Sequence, residues 1–215
     1  MLRYQTLPVT PFAQNCSLLW CTETREAALV DPGGELPRLR AAVKAQGVTL
    51  RQILLTHAHI DHAGATGTLA REDGLPIVGP HPGDQFWIDG LPEQSRMFGF
   101  PPAEPFTPTR WLHDGDTVMV GQVRLDVRHC PGHTPGHVVF HDPVTQRAFV
   151  GDVLFVGSIG RTDFPGGHHG TLIQSITQRL WPMGDLTVFI PGHGPEGSFG
   201  RERANNPFVA DHVVG

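Results

Sequence analysis

Thr56-His57-Ala58-His59-Ile60-Asp61-His62 is the stretch on which the reading of this chain turns. Residues 57–62 hold three imidazoles and a carboxylate, directly after Ile53-Leu54-Leu55, a short apolar run of the kind that forms a buried strand. The spacing is not the i, i+4 spacing of a zinc-binding helix, so these groups are expected at the C-terminal end of a strand. Imidazole nitrogen and carboxylate oxygen suit zinc, iron and manganese. One cation cannot take every group offered here, so two neighbouring cations are expected. The bland alternative is a polar surface loop with accidental histidines.

Three later segments repeat the form of an apolar strand that stops at a ligand type beside glycine. They are Pro131-Gly132-His133, Gly151-Asp152 and Pro191-Gly192-His193, preceded by the runs Val123 to Val127, Ala148 to Val150 and Val188 to Ile190. Glycine there lets backbone and substrate approach the site closely. The candidate metal set is therefore His57, His59, Asp61, His62, His133, Asp152 and His193.

The rest of the chain supplies the frame. Leu2 to Leu7, Cys16 to Cys21 and Ala27 to Val30 read as an antiparallel meander, closed by Asp31-Pro32-Gly33-Gly34. Leu36 to Gln46 has helical apolar spacing with Pro37 in its first turn and Gly47 at its end. A second helix is expected from about Ala63 to Asp73, then a short strand within Pro76 to Gly79. Gly79 to Pro108, rich in proline and aromatics, is expected to hold at most one short helix near Pro82 to Ile88. The strands Thr117 to Val120, Val123 to His129, Val138 to His141 and Ala148 to Val150 follow. A helix near Leu172 to Leu180 and a strand at Thr187 to Ile190 complete the order. Strand-rich blocks interleaved with helices predict an α/β fold of two packed sheets with helices outside, in four layers.

Composition narrows the partners. The 215 residues are 39% hydrophobic, enough for one sizeable core, and are read as a single domain, 1–215. Sixteen Lys+Arg are scattered against twenty-one Asp+Glu, a net charge of −5 that argues against nucleic acid. No apolar leader opens the chain and no stretch approaches a membrane span, so a cytoplasmic protein without a membrane partner is expected. Cys16, Cys21 and Cys130 cannot all pair with one another and are expected as reduced thiols. Nothing in the sequence sets the oligomeric state.

At these residues the chain resembles the metallo-β-lactamase superfamily, and within it the short, glyoxalase II-like hydrolases. The likeness extends beyond the metal set to Asp31-Pro32-Gly33, Cys130-Pro131-Gly132-His133-Thr134-Pro135-Gly136-His137, Gly160-Arg161-Thr162-Asp163-Phe164-Pro165-Gly166-Gly167 and Asn206-Pro207-Phe208. The resemblance implies a four-layer αββα metallo-β-lactamase-like sandwich with its site at the edge of the two sheets. It also implies His57, His59 and His133 on one metal, Asp61, His62 and His193 on the other, and Asp152 bridging both. In that scheme a metal-bridging hydroxide attacks a carbonyl carbon, with Asp61 and Asp152 as the catalytic carboxylates and Asp61 orienting the hydroxide. Zinc is the first expectation for the two divalent ions, with iron or manganese as alternatives.

The substrate the resemblance implies is a small-molecule thioester of the S-lactoylglutathione type. Full-length glyoxalase II enzymes add a C-terminal helical domain that contacts glutathione, whereas only residues 194–215 follow His193 here. Another thioester or a lactone is therefore an alternative. So is a mononuclear iron persulfide dioxygenase using His57, His133 and Asp152. A metal-binding protein without turnover and a nuclease on the same fold are opposed by the complete ligand set and the acidic balance.

Other residues are read as structural. Cys130 is expected to be a small buried residue, and His129, His137 and His141 to serve packing, with a hydrogen bond near the site as the alternative for His137. Arg161 and Asp163 are expected to brace their loop, His168-His169 to lie in a loop that either touches substrate or is solvated, and the aromatics from Phe86 to Phe106 to cover a sheet.

Overall fold

Adjacent residues on the central strands part company in the core, and this alternation sets the layers. A computed structural model describes residues 1–214. Its first sheet has the order β1 (Leu2–Val9), β2 (Gln14–Cys21), β3 (Glu26–Val30), β4 (Thr49–Leu54) and β5 (Ile77–Val78). The second has the order β13 (Gly197–Ser198), β12 (Val188–Pro191), β9 (Arg147–Gly151), β8 (Val138–Asp142), β7 (Val123–His129) and β6 (Thr117–Val120). Successive side chains on a strand point to opposite faces. Thus Leu19, Ala28 and Leu54 meet Leu125, Phe140 and Phe149 between the sheets, in one buried cluster. Their neighbours Leu18, Leu29 and Ile53 face the outer helices α1 (Leu36–Gln46) and α3 (Thr66–Asp73), through Leu39 and Leu69. On the far side Val139, Ala148 and Phe189 pack against α6 (His169–Ser175) and α7 (Phe199–Asn205), through Leu172 and Phe199. Three apolar interfaces separate four layers, which is the expected αββα sandwich. Both faces of the central strands are buried, so apolar residues stand side by side in them, as in Leu18-Leu19-Trp20 and Val138-Val139-Phe140, rather than alternating with polar ones.

The topology brings the site together. Strands β7 and β9 both run antiparallel to β8, and β12 runs parallel to β9, so all three end on one side. In the first sheet β4 delivers residues 57–62 to the same edge. The sheets are tied there by Asn15, whose side chain donates to Pro191 O (3.0 Å) and Gly194 O (2.9 Å), and by the Val138 N–H, which donates to Thr56 O at 2.8 Å.

Several elements depart from the sequence expectations. The helix expected from Ala63 to Asp73 is broken at Gly64 and Ala65 into α2 (Ile60–Ala63) and α3, which places Asp61 and His62 on a helical turn. Gly79 to Pro108 holds two α-helices, α4 (Gln85–Asp89) and α5 (Leu91–Phe98), rather than at most one. Pro92 sits in the first turn of α5 and Gly99 caps its end with φ 68°, a proline-start, glycine-stop pattern. The expected helix near Leu172 to Leu180 begins at His169 and passes into a π-helical turn at Ile176–Leu180. The hairpin of β10 (Leu154–Phe155) and β11 (Ser158–Ile159), together with α7 and α8 (Asp211–Val214), was not expected. Cys16, Cys21 and Cys130 are buried and free, as expected. No helix among the described residues is long and apolar enough to cross a membrane.

Candidate metal centre

Four of the imidazoles spend one ring nitrogen on a fixed partner and aim the other inward. Thr56 donates through its N–H to Asp31 Oδ1 (2.7 Å) and through its hydroxyl to Oδ2 (2.6 Å), which leaves its oxygen to accept from His57 Nδ1 at 3.0 Å. His62 Nδ1 donates to Asp31 Oδ2 at 2.9 Å, His133 Nδ1 to Arg161 O at 2.8 Å, and His193 Nδ1 to Phe12 O at 3.1 Å. Each network fixes a tautomer whose Nε2 points into the site, the usual second-partner arrangement of a metal-binding histidine. His59 is turned the other way, with Nδ1 3.0 Å from His133 Nε2.

All seven residues singled out in the sequence converge. His57, His59 and His133 form one group whose ligand atoms lie within 4.8 Å of one another, and Asp61, His62 and His193 form a second. Asp152 stands between them, with Oδ1 3.3 Å from His62 Nε2 and Oδ2 3.7 Å from His133 Nε2 and 3.6 Å from His193 Nε2. Asp61 Oδ2 lies 3.1 Å from His193 Nε2. A third grouping, Asp31 with His57 and His62, is excluded by the hydrogen bonds that already occupy both Asp31 oxygens.

Buried polar atoms need partners, and here several have none within the protein: His57 Nε2, His62 Nε2 and Asp152 Oδ1 are inaccessible and unpaired. Converging unpaired nitrogen and oxygen atoms of this kind fit a pair of divalent cations. Electrostatics agree. Burial, aided by neighbouring imidazoles, holds His57 well below the usual histidine range, and burial lowers His59 and His133 as well, keeping all three neutral for ligation. Burial also disfavours charge on Asp152, but His62, His133 and His193 outweigh it and hold the carboxyl below the usual carboxylate range.

Close approach at this edge requires glycine at two places. A Cβ on Gly192 would fall 2.1 Å from Asp152 Oδ1, and one on Gly33 would fall 1.5 Å from Asp61 O, which accounts for Asp31-Pro32-Gly33.

The supporting roles of several residues were not read from the sequence. Asp31, singled out only as part of a motif, is one. Asp84 is fully buried and accepts from Ala58 N–H (3.0 Å), Thr134 hydroxyl (2.9 Å) and Gly136 N–H (2.6 Å), which joins the loops that flank His57, His59 and His133. Gln94 accepts from Ile60 N–H at 3.0 Å. His137, for which packing was preferred over a hydrogen bond near the site, does both: its ring stacks on His57 at 4.7 Å, and its Nε2 accepts from Asp152 N–H at 3.1 Å. Asn206 donates to Ser158 O (3.1 Å) and to Glu202 Oε2 (2.9 Å), while Glu202 Oε2 accepts from Gly157 N–H at 2.7 Å. The Asn206-Pro207-Phe208 segment therefore braces the β10–β11 hairpin beside the site.

The remaining residues stand as follows. Arg161 and Asp163 form a bidentate pair at 2.7 and 2.6 Å, and the guanidinium lies 4.0 Å above the Phe164 ring. His168 caps α6 by accepting from Thr171 N–H at 3.1 Å. Burial pushes the Cys130 thiol up to about 12, as suits an inert packing residue. Phe100 packs beneath the first sheet's helices as a covering residue, whereas Trp87 and Phe98 line a cavity of about 750 Å³ that opens over His59, Asp61, His133, Asp152 and His193.

Comparison with known proteins follows the same lines. A family model described as the metallo-beta-lactamase superfamily matches residues 9–193. Hydroxyacylglutathione hydrolase GloC of Haemophilus influenzae is 43% identical over 97% of this chain and 98% of its own. The mitochondrial persulfide dioxygenase ETHE1 of Bos taurus is 33% identical over 88% of this chain and 69% of its own. Among solved structures, the B3 metallo-β-lactamase BLEG-1 superposes with a TM-score of 0.89 (33% identity, 99% of this chain, 100% of that one). A di-iron-bound form of TTHA1623 superposes with a TM-score of 0.87 (38% identity, 95% of this chain, 100% of that one).

Proposed function

The chain belongs to the metallo-β-lactamase superfamily, and from that premise we propose that it is a metal-dependent hydrolase of the glyoxalase II-like kind, acting on small thioesters of the S-lactoylglutathione type. One arrangement carries the proposal: two ligand triads meet about the single carboxylate of Asp152 on the floor of one open cavity. His57, His59 and His133 would hold one divalent cation and Asp61, His62 and His193 the other, with Asp152 shared. Zinc is the first choice, and the di-iron form of a 38% identical structure keeps iron in contention. Bound there, two cations supply water acidified to near neutrality and positive charge for a developing oxyanion.

The chain's own residues do the rest. Asp61 lines the cavity, and in this reading its carboxylate would accept a hydrogen of the attacking water and so orient it. Thr56, Asp31, Arg161 O and Phe12 O keep His57, His62, His133 and His193 in their ligating tautomers. Trp87 and Phe164 exclude water from one side of the floor. In the net reaction the carbonyl C–S bond breaks, a C–O bond to the water oxygen forms, and the thiol leaves with a proton from that water.

The reading is tested by following free glutathione released from S-lactoylglutathione by the metal-replete protein, with Asp152→Ala as the blank. Rapid release, lowered on the order of 10³-fold in the variant, is expected. No release from the wild type would remove the thioesterase. The 33% identical persulfide dioxygenase makes oxygen uptake with glutathione persulfide the companion measurement; the filled second triad predicts none.

A further inference from the structure

The floor of the cavity explains how a thioester is cleaved, and its walls bear on which thioester. Phe12 and Phe98 form one wall, their rings in edge contact at 6.0 Å. Trp87 and Phe164 form a second, at 6.2 Å, and both rings pack against the His59 imidazole. Phe155 and Ile159 of the β10–β11 hairpin form a third. Phe12 and Phe98 are also half-exposed, so their apolar faces await a partner at the cavity itself.

Charge is scarce on these walls. Arg161 is the one permanent cation among the described residues that line the cavity, and its charge is already balanced by Asp163, which accepts from two of its five N–H groups. The side chain of Gln94 is likewise committed, accepting from Ile60 N–H and donating to Trp87 O. On these walls a thiol bearing free carboxylates would meet only a guanidinium whose charge Asp163 already balances, whereas an apolar group would meet three aromatic or aliphatic walls.

We propose that the preferred substrate of this site is a thioester with a bulky apolar group beside the scissile carbonyl, recognised by the aromatic walls and not through carboxylates on its thiol. The proposal rests on the thioester-hydrolase reading and narrows its substrate. It makes the acyl side, rather than the thiol, the specificity handle, with Phe98 as one of the residues that set it.

Three thioesters given to the metal-replete full chain separate the possibilities: S-lactoylglutathione, S-mandeloylglutathione, which replaces the lactoyl methyl by phenyl, and the mandeloyl thioester of N-acetylcysteamine, which lacks glutathione's charges. Thiol release should give a kcat/KM at least about tenfold higher for mandeloyl than for lactoyl on glutathione. Exchange of glutathione for N-acetylcysteamine should change it by less than about fivefold. Phe98→Ala should lower the mandeloyl-to-lactoyl ratio by about tenfold. Equal rates for the two acyl groups, or a loss beyond about 100-fold on removing glutathione, would overturn the proposal while leaving the hydrolase intact. Hydrolysis of none of the three would remove both.

Discussion

The triad of His57, His59 and His133 is more enclosed than that of Asp61, His62 and His193, a difference due to His193 alone, and the two are held by different means. The first set is almost wholly enclosed, and its loops are gripped through the backbone by the buried Asp84 carboxylate. The second includes His193, whose side chain is 29% exposed, and the Asp31 carboxylate grips one of its ligands directly, through His62 Nδ1. Two buried aspartates thus do different work. Asp84 holds the shape of the loops, whereas Asp31 sets the orientation and basicity of a ligand. The contrast teaches that loss of support should read out as stability at the first triad and as metal affinity at the second.

The largest expected effect belongs to Asp84. Asp84→Ala strands two backbone N–H groups and a hydroxyl in the interior, at a cost of about 3 kcal/mol, read as a lowered denaturant midpoint of the metal-free protein. Burial pushes the Asp84 carboxyl up to about 7 despite those three donors, so the folded state takes up a proton that the unfolded state releases near the ordinary carboxylate range. The associated stability is present at low pH and declines as pH rises to about 7. The wild-type minus Asp84→Ala difference in stability should therefore shrink as pH is raised through that window. A variant as stable as wild type would break the assignment of Asp84 as the first triad's support.

A smaller effect is expected from Asp31→Ala, which should weaken binding of one cation by about 10- to 100-fold and leave the other nearly unchanged. Equilibrium dialysis against a graded chelator would measure both. Equal weakening of the two would erase the distinction between the triads, although Thr56 passes some of the Asp31 effect to His57.

The smallest effect is a proton count. In the metal-free protein the first triad's imidazoles are held neutral by burial. At His62 burial also opposes charge, but Asp152, Asp61 and Asp31 overcome it and raise the imidazole well above its usual range. At His193 burial is outweighed by the hydrogen bond to Asp61 and the charge of Asp152. A raised imidazole stabilises the metal-free fold below its ordinary pKa of about 6.5, and that contribution is lost as pH rises through the raised value. A cation entering the second triad must therefore expel protons, and one entering the first need not. Calorimetry in two buffers of different ionisation enthalpy should show net proton release with one cation only, and that cation should be the first lost as pH falls. Identical proton release in both steps would contradict the asymmetry.

The fold and the convergence of the candidate ligand set were legible because both rest on local signals. The ligand segments each follow an apolar run, and glycine beside three of them marks places where a side chain would collide. The supports were not legible, because their partners are remote in sequence: Asp84 lies 26, 50 and 52 residues from Ala58, Thr134 and Gly136. His137 looked like a packing residue because the bond it accepts comes from a backbone group 15 positions away. In Gly79 to Pro108, proline and aromatic content masked α5, although Pro92 at its start and Gly99 at its end were the available signal. The β10–β11 hairpin has only two residues in each strand, too few for periodicity to register, and is held from outside by Glu202 and Asn206.

The central claim is that two unlike triads act together through Asp152. Stepwise zinc titration of the metal-free protein, with bound metal and S-lactoylglutathione hydrolysis followed together, tests it most directly. The account predicts two zinc ions per chain, with most of the turnover appearing as the second is bound. Full turnover at one ion per chain, or two bound ions with no hydrolysis of any thioester, would contradict it.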